Sequence, residues 1–418
     1  MWLSKLQIGN LRCFGETELN FAPGINLIEG ANGSGKTSIL EALHYLCYLR
    51  SFRTYYTREL IQLSQPGFFI RASFTQATNM NITANTLKTN SPEQQLEKSA
   101  SHQLQVGFTP QKRIIKIDQI EIKTYSELLN TYRAISFVED DLGLIKGQPL
   151  LRRAFLDQYI ALYTPNYLKL SAEFKKILAN RNSLINSLSY KQATSNSANS
   201  NTNLENNQHE YQLWTAQLES KSAQIQTLRA QALDRLQQQV NLLLAQYFPE
   251  TNLTIELVYQ PKILNQDLIQ LFAQETRWRR TLFGAHLDDF TINFCSLKSR
   301  IFASRGQQKL ILTLLKLAQY LILTNTNYTK PEIFKATLEV ATIQKKSLNY
   351  PNANNPNQGL FLLLLDDFMT DLDERWLRIL VHALQDLNCQ LIFTCPTQSN
   401  SAIKTILQDY NTHKILLN

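Results

Sequence analysis

The sequence has no long uncharged hydrophobic run. Its most apolar long stretch, Leu310 to Thr324, contains Lys316 and Gln319 and is too short and too interrupted to span a bilayer. The amino terminus has no charged region followed by a long apolar run, so we expect no signal peptide. These absences exclude a transporter subunit with its own membrane span and predict a cytoplasmic protein. A soluble subunit docked on a separate membrane partner stays open.

Cysteine and histidine are scarce and scattered. The five cysteines are odd in number and form no Cys-x-x-Cys pair, which favours reduced thiols packed as small hydrophobic groups. The six histidines show no metal-ligand spacing. The length of 418 residues is enough for two or three domains, and a hydrophobic content of 44% is typical of a globular protein. The net charge of +8 favours a polyanionic partner, although many basic proteins bind no nucleic acid.

Helical periodicity is concentrated in the middle of the chain. One helical pattern runs from Pro149 to about Leu188 and another from about Trp214 to Leu244, as in an antiparallel hairpin. The Asn- and Ser-rich segment 192–208 predicts a flexible tip between them. Strand and helix patterns alternate on both sides. We therefore expect one α/β domain built from both ends of the chain with a helical arm inserted, divided as residues 1–148, 149–276 and 277–418.

A glycine-rich loop follows the apolar run Ile25 to Ile28 and precedes a predicted helix. It matches G-x-x-x-x-G-K-[ST] at every position. Glycines let backbone N–H groups surround phosphate oxygens, and the helix N-terminus adds a favourable dipole. Lys36 is expected to reach the β- and γ-phosphates of ATP, and Thr37 to ligate Mg²⁺. The candidate ATP-binding residues here are Gly30, Ala31, Asn32, Gly33, Ser34, Gly35, Lys36, Thr37 and Ser38.

Two adjacent carboxylates end a second apolar run, Leu362 to Leu365. The run reads as a buried parallel strand, and carboxylates at its carboxyl end are expected beside the glycine-rich loop. Asp366 is then a candidate Mg²⁺ ligand, directly or through water. Asp367 is a candidate catalytic residue that polarises the attacking water, and Lys36 is the second candidate catalytic residue. The less favoured alternative for Asp367 is the N-cap of a following helix.

Two further motifs flank that strand. Ser304-Arg305-Gly306-Gln307-Gln308-Lys309 precedes an amphipathic helix and, read alone, is a well-capped helix start. Between a phosphate loop and a double-Asp strand it resembles the signature motif of ABC ATPases, which closes over the γ-phosphate held by the partner subunit. Thr370-Asp371-Leu372-Asp373 resembles the D-loop of that superfamily and also fits an N-capping turn.

Together these motifs occur in the order typical of the RecF family. Four more segments resemble that family: Ile8-Gly9-Asn10-Leu11-Arg12-Cys13-Phe14, Leu49-Arg50-Ser51-Phe52-Arg53, Leu144-Ile145-Lys146-Gly147-Gln148-Pro149 with Arg152-Arg153-Ala154-Phe155-Leu156-Asp157, and Gly284-Ala285-His286-Leu287-Asp288-Asp289. The resemblance covers nearly the whole chain. It implies an α/β fold: an ABC-type, SMC-head-like P-loop ATPase domain with an inserted α-helical arm domain.

The resemblance also implies roles for individual residues. Arg12 would approach the nucleotide phosphates, and Ser304, Gly306 and Gln307 would bind the ATP held by a second chain. Arg53 would lie near phosphate or DNA. Further basic residues are candidates for DNA contact, although each also fits an ordinary solvated face: Lys112, Arg113, Arg277, Arg279 and Arg280.

The sequence departs from the family pattern at several places. Ala285 and Leu287 replace a Pro and an Arg, and no Gln stands in the Q-loop stretch 137–142, where Glu139 or Asp140 would face the metal instead. Thr394 stands where transporters have a switch histidine. Residues 325–359 form an apparent insertion.

By resemblance, the function expected is an ATP-dependent DNA-binding protein. It would dimerise on ATP, hydrolyse it slowly, and act at junctions of single- and double-stranded DNA with RecR and RecO, in replication, repair and the SOS response. The main alternative is a soluble ABC ATPase subunit that couples hydrolysis to a membrane partner. A fused nuclease is a weaker alternative, because the sequence leaves no room for its domain after the last predicted strand, and so is a GTPase, because the candidate base-reading segment 115–118 lacks the leading Asn. A purely architectural nucleotide-binding protein would be distinguished by its lack of ATP turnover.

Overall fold

The structure divides into two compact units. A computed structural model of the chain describes residues 1–75, 101–122, 128–129, 131–164, 166–194, 201–324, 360–367, 372–387, 389–397 and 402–417. Unit 1 comprises Met1–Asp141, Arg305–Tyr320 and Thr324–Asn418, and unit 2 comprises Leu142–Ser304 and Leu321–Leu323. The insertion predicted at 325–359 lies outside the described residues. In the described ranges, no helix is both long and apolar enough to cross a membrane.

Strands and helices alternate in both units. In chain order the strands are β1 (Trp2–Leu11), β2 (Phe14–Asn20), β3 (Ile25–Gly30), β4 (Phe68–Thr75), β5 (Ser101–Phe108), β6 (Arg113–Ile117), β7 (Ile120–Glu121), β8 (Tyr132–Phe137), β9 (Ile255–Gln260), β10 (Asp289–Phe294), β11 (Leu297–Lys298), β12 (Leu360–Leu365), β13 (Gln390–Pro396) and β14 (Thr412–Leu417). The helices are α1 (Lys36–Tyr48), α2 (Gly143–Lys146), α3 (Pro149–Tyr163), α4 (Tyr167–Thr194), α5 (Asn201–Tyr247), α6 (Leu268–Trp278), α7 (Ser299–Phe302), α8 (Arg305–Thr324), α9 (Glu374–Gln385) and α10 (Ala402–Gln408).

A parallel sheet forms the centre of unit 1. Its strands lie in the order β14-β3-β13-β12-β8, and every neighbouring pair is parallel. β12 and β13 are almost continuous apolar runs because both of their faces are buried. Leu365 of β12 lies opposite Phe393 on one side and Phe137 on the other. The carboxyl ends of β3, β12 and β13 therefore meet along one edge of the sheet.

An antiparallel sheet completes the core of unit 1. Its strands lie in the order β2-β1-β4-β5-β6-β7, and β4 alternates buried and half-buried residues, as expected when one face packs on a core. Helix α1 contacts strands of both sheets. Twelve of its thirteen residues are buried, so it is a central helix rather than an amphipathic surface helix.

The helical arm differs in detail from the sequence-based expectation. The pattern predicted as one helix from Pro149 to Leu188 is two helices, because Pro165 lacks the N–H that a continuous helix needs. Helices α4 and α5 also extend into the predicted tip, as far as Thr194 and from Asn201 onward. Asn and Ser are only mildly unfavourable in helices, so their composition did not prevent this. Residues 195–200 lie outside the described part.

Unit 2 also contains a small sheet. Strands β9, β10 and β11 are antiparallel in the order β11-β10-β9, and α5 packs on β9 and α3. The compact unit spans more than the predicted arm, 149–276, because it takes in β10, β11 and the segment before α3. The division into the domains 1–148, 149–276 and 277–418 stays a prediction.

A fully buried ion pair joins α4 to α6 within unit 2. Arg181 and Glu275 are both 0% exposed, and Nη2 of the arginine donates to Oε2 of the carboxylate at 2.6 Å. The hydroxyl of Tyr211 donates to the same oxygen at 2.7 Å, and the backbone N–H of Leu282 donates to the other at 2.8 Å. Nη1 of Arg181 also donates to Oε1 at 3.1 Å, so each carboxylate oxygen accepts two hydrogen bonds, which offsets the cost of burying the charge.

We predict that Arg181→Ala lowers the free energy of unfolding by about 3–5 kcal/mol, because it leaves Glu275 buried without its cation. The double variant Arg181→Met/Glu275→Leu should recover most of the loss, since it removes both charges and keeps the volume. Urea unfolding measures both. Equal losses in the single and double variants would show that packing, not charge, holds this contact.

Candidate functional site

The glycine-rich loop connects the end of β3 to the start of α1. Gly33 and Gly35 have φ angles of 87° and 95°, in the left-handed region that glycine adopts without strain. A Cβ atom on Gly35 would lie 2.5 Å from the ring of Phe14. Position 35 therefore requires glycine on two independent grounds, and the loop can turn its backbone N–H groups inward only with glycine there.

Lys36 folds back over this loop. Its side chain is buried, and Nζ donates to the carbonyl oxygens of Gly30 and Ala31, each at 3.0 Å. An ammonium group has three donors, so with these two acceptors among the described residues one N–H remains for an anion. The hydroxyl oxygen of Ser34 is buried and has no hydrogen-bond partner among the described residues. Both groups can donate hydrogen bonds to phosphate oxygens.

A pocket of about 630 Å³ opens beside the loop. Its volume falls within the range typical of small-molecule sites. The lining residues are Arg12, Cys13, Asn32, Gly33, Gly35, Lys36, Thr37, Ser38, Arg53, Glu59, Ile61 and Asp367. Most candidate residues of the loop are thus brought to one pocket, while Gly30, Ala31 and Ser34 form its backbone support. Cys13, Glu59 and Ile61 are lining residues that the sequence did not single out.

Asp366 lies at the centre of a hydrogen-bonded chain at the edge of the parallel sheet. Its Oδ1 accepts from the hydroxyl of Thr37 at 3.1 Å and from that of Thr394 at 2.8 Å. Burial raises the pKa of the Asp366 carboxyl, and the two hydroxyl donors oppose this by stabilising the ionised form. The hydroxyl–carboxylate pair of Thr37 and Asp366 is a set of oxygen donors of the kind that Mg²⁺ prefers.

Asp367 faces the pocket in an unusual backbone conformation. Its φ angle is 39°, in the left-handed region, which aspartate tolerates better than most residues. Its backbone N–H donates to the hydroxyl oxygen of Thr394 at 3.0 Å. The N-cap of α9 is Asp373, whose side chain accepts from the N–H of Arg375. The residue that caps α9 is therefore Asp373, which belongs to the predicted D-loop. Thr370 and Asp371 of that loop lie outside the described residues.

Arg12 is held by a carboxylate that the sequence analysis missed. Glu41 is 0% exposed on α1 and accepts from Nε and Nη2 of Arg12 at 2.9 and 2.8 Å. These bonds raise the pKa of the Arg12 guanidinium. Nη1 donates to the carbonyl of Glu59 at 2.9 Å, and Nη1 of Arg53 lies 4.0 Å from Glu41. The sequence did offer a signal for this pair, because Glu41 is the one acidic residue of the mostly apolar helix after the phosphate loop. A charge buried in such a helix requires a partner of opposite charge.

The acidic turn after β8 contacts the basic face of helix α8. Glu139 pairs with Arg305 and, at 3.3 Å, with the buried ammonium of Lys309. Asp141 pairs with Lys316, whose pKa is lowered by burial while the carboxylate opposes this effect. Glu139 was a candidate to face the metal, but its carboxylate is engaged by these cations instead.

The remaining candidates lie apart from the pocket. Ser304 is exposed and immediately precedes α8, while Gly306 and Gln307 lie in its first turn and do not line the pocket. Lys112 and Arg113 are exposed in unit 1, where the Arg113 guanidinium lies 5.6 Å from the ring centre of Phe108. The basic residues exposed at the end of α6 in unit 2 are Arg277, Arg279 and Arg280.

The fold is that of an ABC-type P-loop ATPase domain, as predicted. The sequence model of the AAA domain family matches residues 5–347, and the chain belongs to this family. The resemblance to RecF is also confirmed. The chain is 27% identical to the DNA replication and repair protein RecF of Thermoanaerobacter sp. (strain X514) over 389 residues, covering 90% of this chain and 89% of that protein.

A second relative and two solved structures show the same resemblance to RecF. The RecF protein of Halalkalibacterium halodurans is 27% identical over 399 residues, which cover 92% of this chain and 90% of that protein. A solved structure of the recombination mediator protein RecF-ATPrS in the RecFOR pathway has a TM-score of 0.69 at 22% identity, covering all of this chain and 97% of that one. A RecF-ATP structure gives the same TM-score and covers 96% and 93% of the two chains.

We predict that Thr394→Val raises the pKa of Asp366 further, because it removes a hydroxyl that stabilises the ionised carboxylate. Thr394→Ser keeps the hydroxyl and should leave the pKa close to that of the unsubstituted protein. The measurement is a pH titration of the carboxyl ¹³C resonance, assigned by its loss in Asp366→Asn. An unchanged or lower pKa in Thr394→Val would show that Thr394 does not support this carboxylate.

Proposed function

We propose that this protein is an ATP-dependent DNA-binding protein of the RecF type. It binds ATP with Mg²⁺, dimerises around the nucleotide, hydrolyses it slowly and acts in replication and recombinational repair. The observation that carries the proposal is the junction of the phosphate loop with Asp366 and Asp367 at one edge of the parallel sheet. The DNA part rests on the relatives and on the positive net charge.

The phosphate loop gives ATP its main contacts in this proposal. The free N–H of the Lys36 ammonium and the inward backbone N–H groups bind the β- and γ-phosphates, and the Ser34 hydroxyl gains the partner it lacks. Thr37 and Asp366 would hold Mg²⁺, which supplies positive charge that neutralises the phosphate oxygens. The Asp366 carboxyl must be ionised for this, and the hydroxyls of Thr37 and Thr394 favour that form.

Asp367 is the candidate for activating water. Its carboxylate borders the pocket, and its backbone is tied to Thr394, which fixes the direction of the side chain. A carboxylate in this position can orient a water molecule and accept its proton as the water attacks the γ-phosphate. The side chain of aspartate is short, which limits its reach toward that water and suits slow turnover.

The second half of each site comes from another chain in this proposal. Ser304 is exposed at the N-terminus of a 20-residue helix, where backbone N–H groups and the helix dipole favour an anion. Together with Gly306 and Gln307 it would close over the γ-phosphate held by the partner's loop. A two-fold dimer then has two composite sites, and ATP acts mainly as a dimerisation switch.

The proposal of DNA and protein partners for this chain rests on the names of its relatives. They are named for DNA replication and repair and for the RecFOR pathway, so we infer action at junctions of single- and double-stranded DNA in the cytoplasm, with RecR and RecO as partners. The alternative of a soluble ATPase subunit for a membrane partner has less support, since Thr394 rather than a histidine contacts the two aspartates.

We predict that Asp367→Asn binds ATP normally but loses nearly all hydrolysis, because an amide cannot accept a proton. Lys36→Ala should instead lose binding, since the phosphates lose their side-chain cation. Nucleotide titration and phosphate release separate the two. Normal turnover in Asp367→Asn would assign hydrolysis to another acid, and normal affinity in Lys36→Ala would overturn the assignment of the loop.

We predict that ATP strengthens binding to duplex-containing DNA and that salt weakens it. Neutralisation of phosphates by Lys and Arg releases counterions, so the logarithm of the affinity should fall linearly with the logarithm of the salt concentration. Fluorescence anisotropy with labelled junctions over a salt series, with and without ATP, measures both effects. Absence of binding at low salt would instead favour the ATPase subunit of a membrane partner.

A further inference from the structure

The carboxyl end of α6 exposes a cluster that combines an aromatic ring with positive charge. It consists of Arg277, Trp278, Arg279 and Arg280, and we call it the Arg–Trp cluster. Trp278 is 61% exposed, although tryptophan usually buries most of its surface. All three arginines are exposed, and within the described residues no ion pair engages their guanidinium groups. The exposed indole, rather than the charge, is the unusual feature, because an exposed aromatic surface of this kind often marks a contact site.

The segment that presents the cluster is fixed at both ends. Before it, Glu275 pairs with the buried Arg181, and the hydroxyl of Ser189 donates to the carbonyl of Thr276 at 2.5 Å. After it, the N–H and hydroxyl of Thr281 donate to the Asn182 side chain at 3.0 and 2.7 Å. The backbone of the four residues between these anchors is held along α4, so little backbone conformational entropy is lost when they bind a ligand.

The surroundings of the cluster carry no exposed negative charge close in sequence. Glu275, the acid that precedes the cluster, is fully buried and neutralised by Arg181. On α4, the helix along which the segment lies, the sequence has no Asp or Glu from 174 to 204. Tyr190, next to the Ser189 anchor, adds a second exposed ring at 68% exposure. The partner is therefore an anion that also offers flat apolar faces.

We propose that the Arg–Trp cluster is a binding site for single-stranded DNA, in which Trp278 stacks on an unpaired base and the three arginines bind neighbouring phosphates. The proposal rests on the DNA-binding function inferred above and adds which surface of unit 2 contacts the single strand. Single-stranded sites in proteins combine aromatic stacking platforms with positive charge in this way. Duplex DNA keeps its base faces stacked inside, so it satisfies the arginines but not the exposed ring.

Intrinsic fluorescence tests the stacking directly. The chain has four tryptophans, so the contribution of Trp278 is the difference between the unsubstituted protein and Trp278→Phe. A single-stranded oligonucleotide should quench the unsubstituted protein, and Trp278→Phe should lose that quenching while keeping most of the affinity. An abasic strand of equal length and charge should produce no quenching from Trp278. Equal quenching by the abasic strand or by polyglutamate would overturn the proposal in favour of a simple anion or acidic-peptide site.

Affinity and its salt dependence test the two parts of the cluster separately. Trp278→Ala should weaken single-strand binding about tenfold or more and change duplex binding little, because stacking is lost. Replacing the three arginines by Gln should lower the salt slope for the single strand by about 2, at about 0.7 for each neutralised phosphate. Ile269→Ala, which changes an exposed apolar residue on the same helix, is the matched control and should change neither.

The outcomes also separate this proposal from the DNA-binding function on which it rests. If the unsubstituted protein binds DNA and both cluster variants bind the single strand equally well, the Arg–Trp cluster is not the site and the general function stands. If the unsubstituted protein binds no DNA, both the function and the site are wrong. Circular dichroism of each variant excludes misfolding as the cause of a loss.

Discussion

The hydrogen bonds that Thr37 and Thr394 donate to Asp366 hold the candidate nucleotide site together. Thr37 lies in the first turn of α1 after the loop that follows β3, Asp366 follows β12, and Thr394 lies near the end of β13, so the register of the sheet brings them to one edge. The charge of Asp366 is buried, so it needs both donors in the absence of a cation. In the proposed function the same two hydroxyls keep Asp366 in place and ionised at the point where the nucleotide would bind.

Further buried charges connect this edge to the rest of unit 1. Glu41, on the helix after the phosphate loop, forms an ion pair with Arg12, which lies between β1 and β2. Asp141 joins the turn after β8 to Lys316 of the helix that begins just after Ser304. Charges so buried are costly unless paired, and breaking one pair leaves its partner without compensation. The phosphate loop and the start of α8 are therefore attached to the same rigid core within each chain.

The sequence predicted the local features of the site but not its long-range contacts. The phosphate loop was recognisable because its glycines and Lys36 act within eight residues, and Asp366 because an apolar run ends there. The partner of Arg12 was missed, since nothing local to Glu41 says which cation it meets. The division of the arm into α3 and α4 was also missed, although Pro165 signalled a break. The contact between Glu139 and Lys309 could not be predicted either, because it depends on the order of the strands in the sheet, which cannot be read from a single sequence.

The central claim is that each active site is shared between two chains, and mixing two inactive variants tests it most directly. Lys36→Ala removes ATP binding from its own loop, and Ser304→Arg blocks closure over the partner's ATP, so each homodimer should be inactive. In a mixed dimer one site carries both changes and the other carries none. Equal mixing should restore about one quarter of the wild-type ATPase activity, because half of the dimers are mixed and each has one intact site of two. No activity at any ratio, with mixed dimers shown to form, would contradict the shared site.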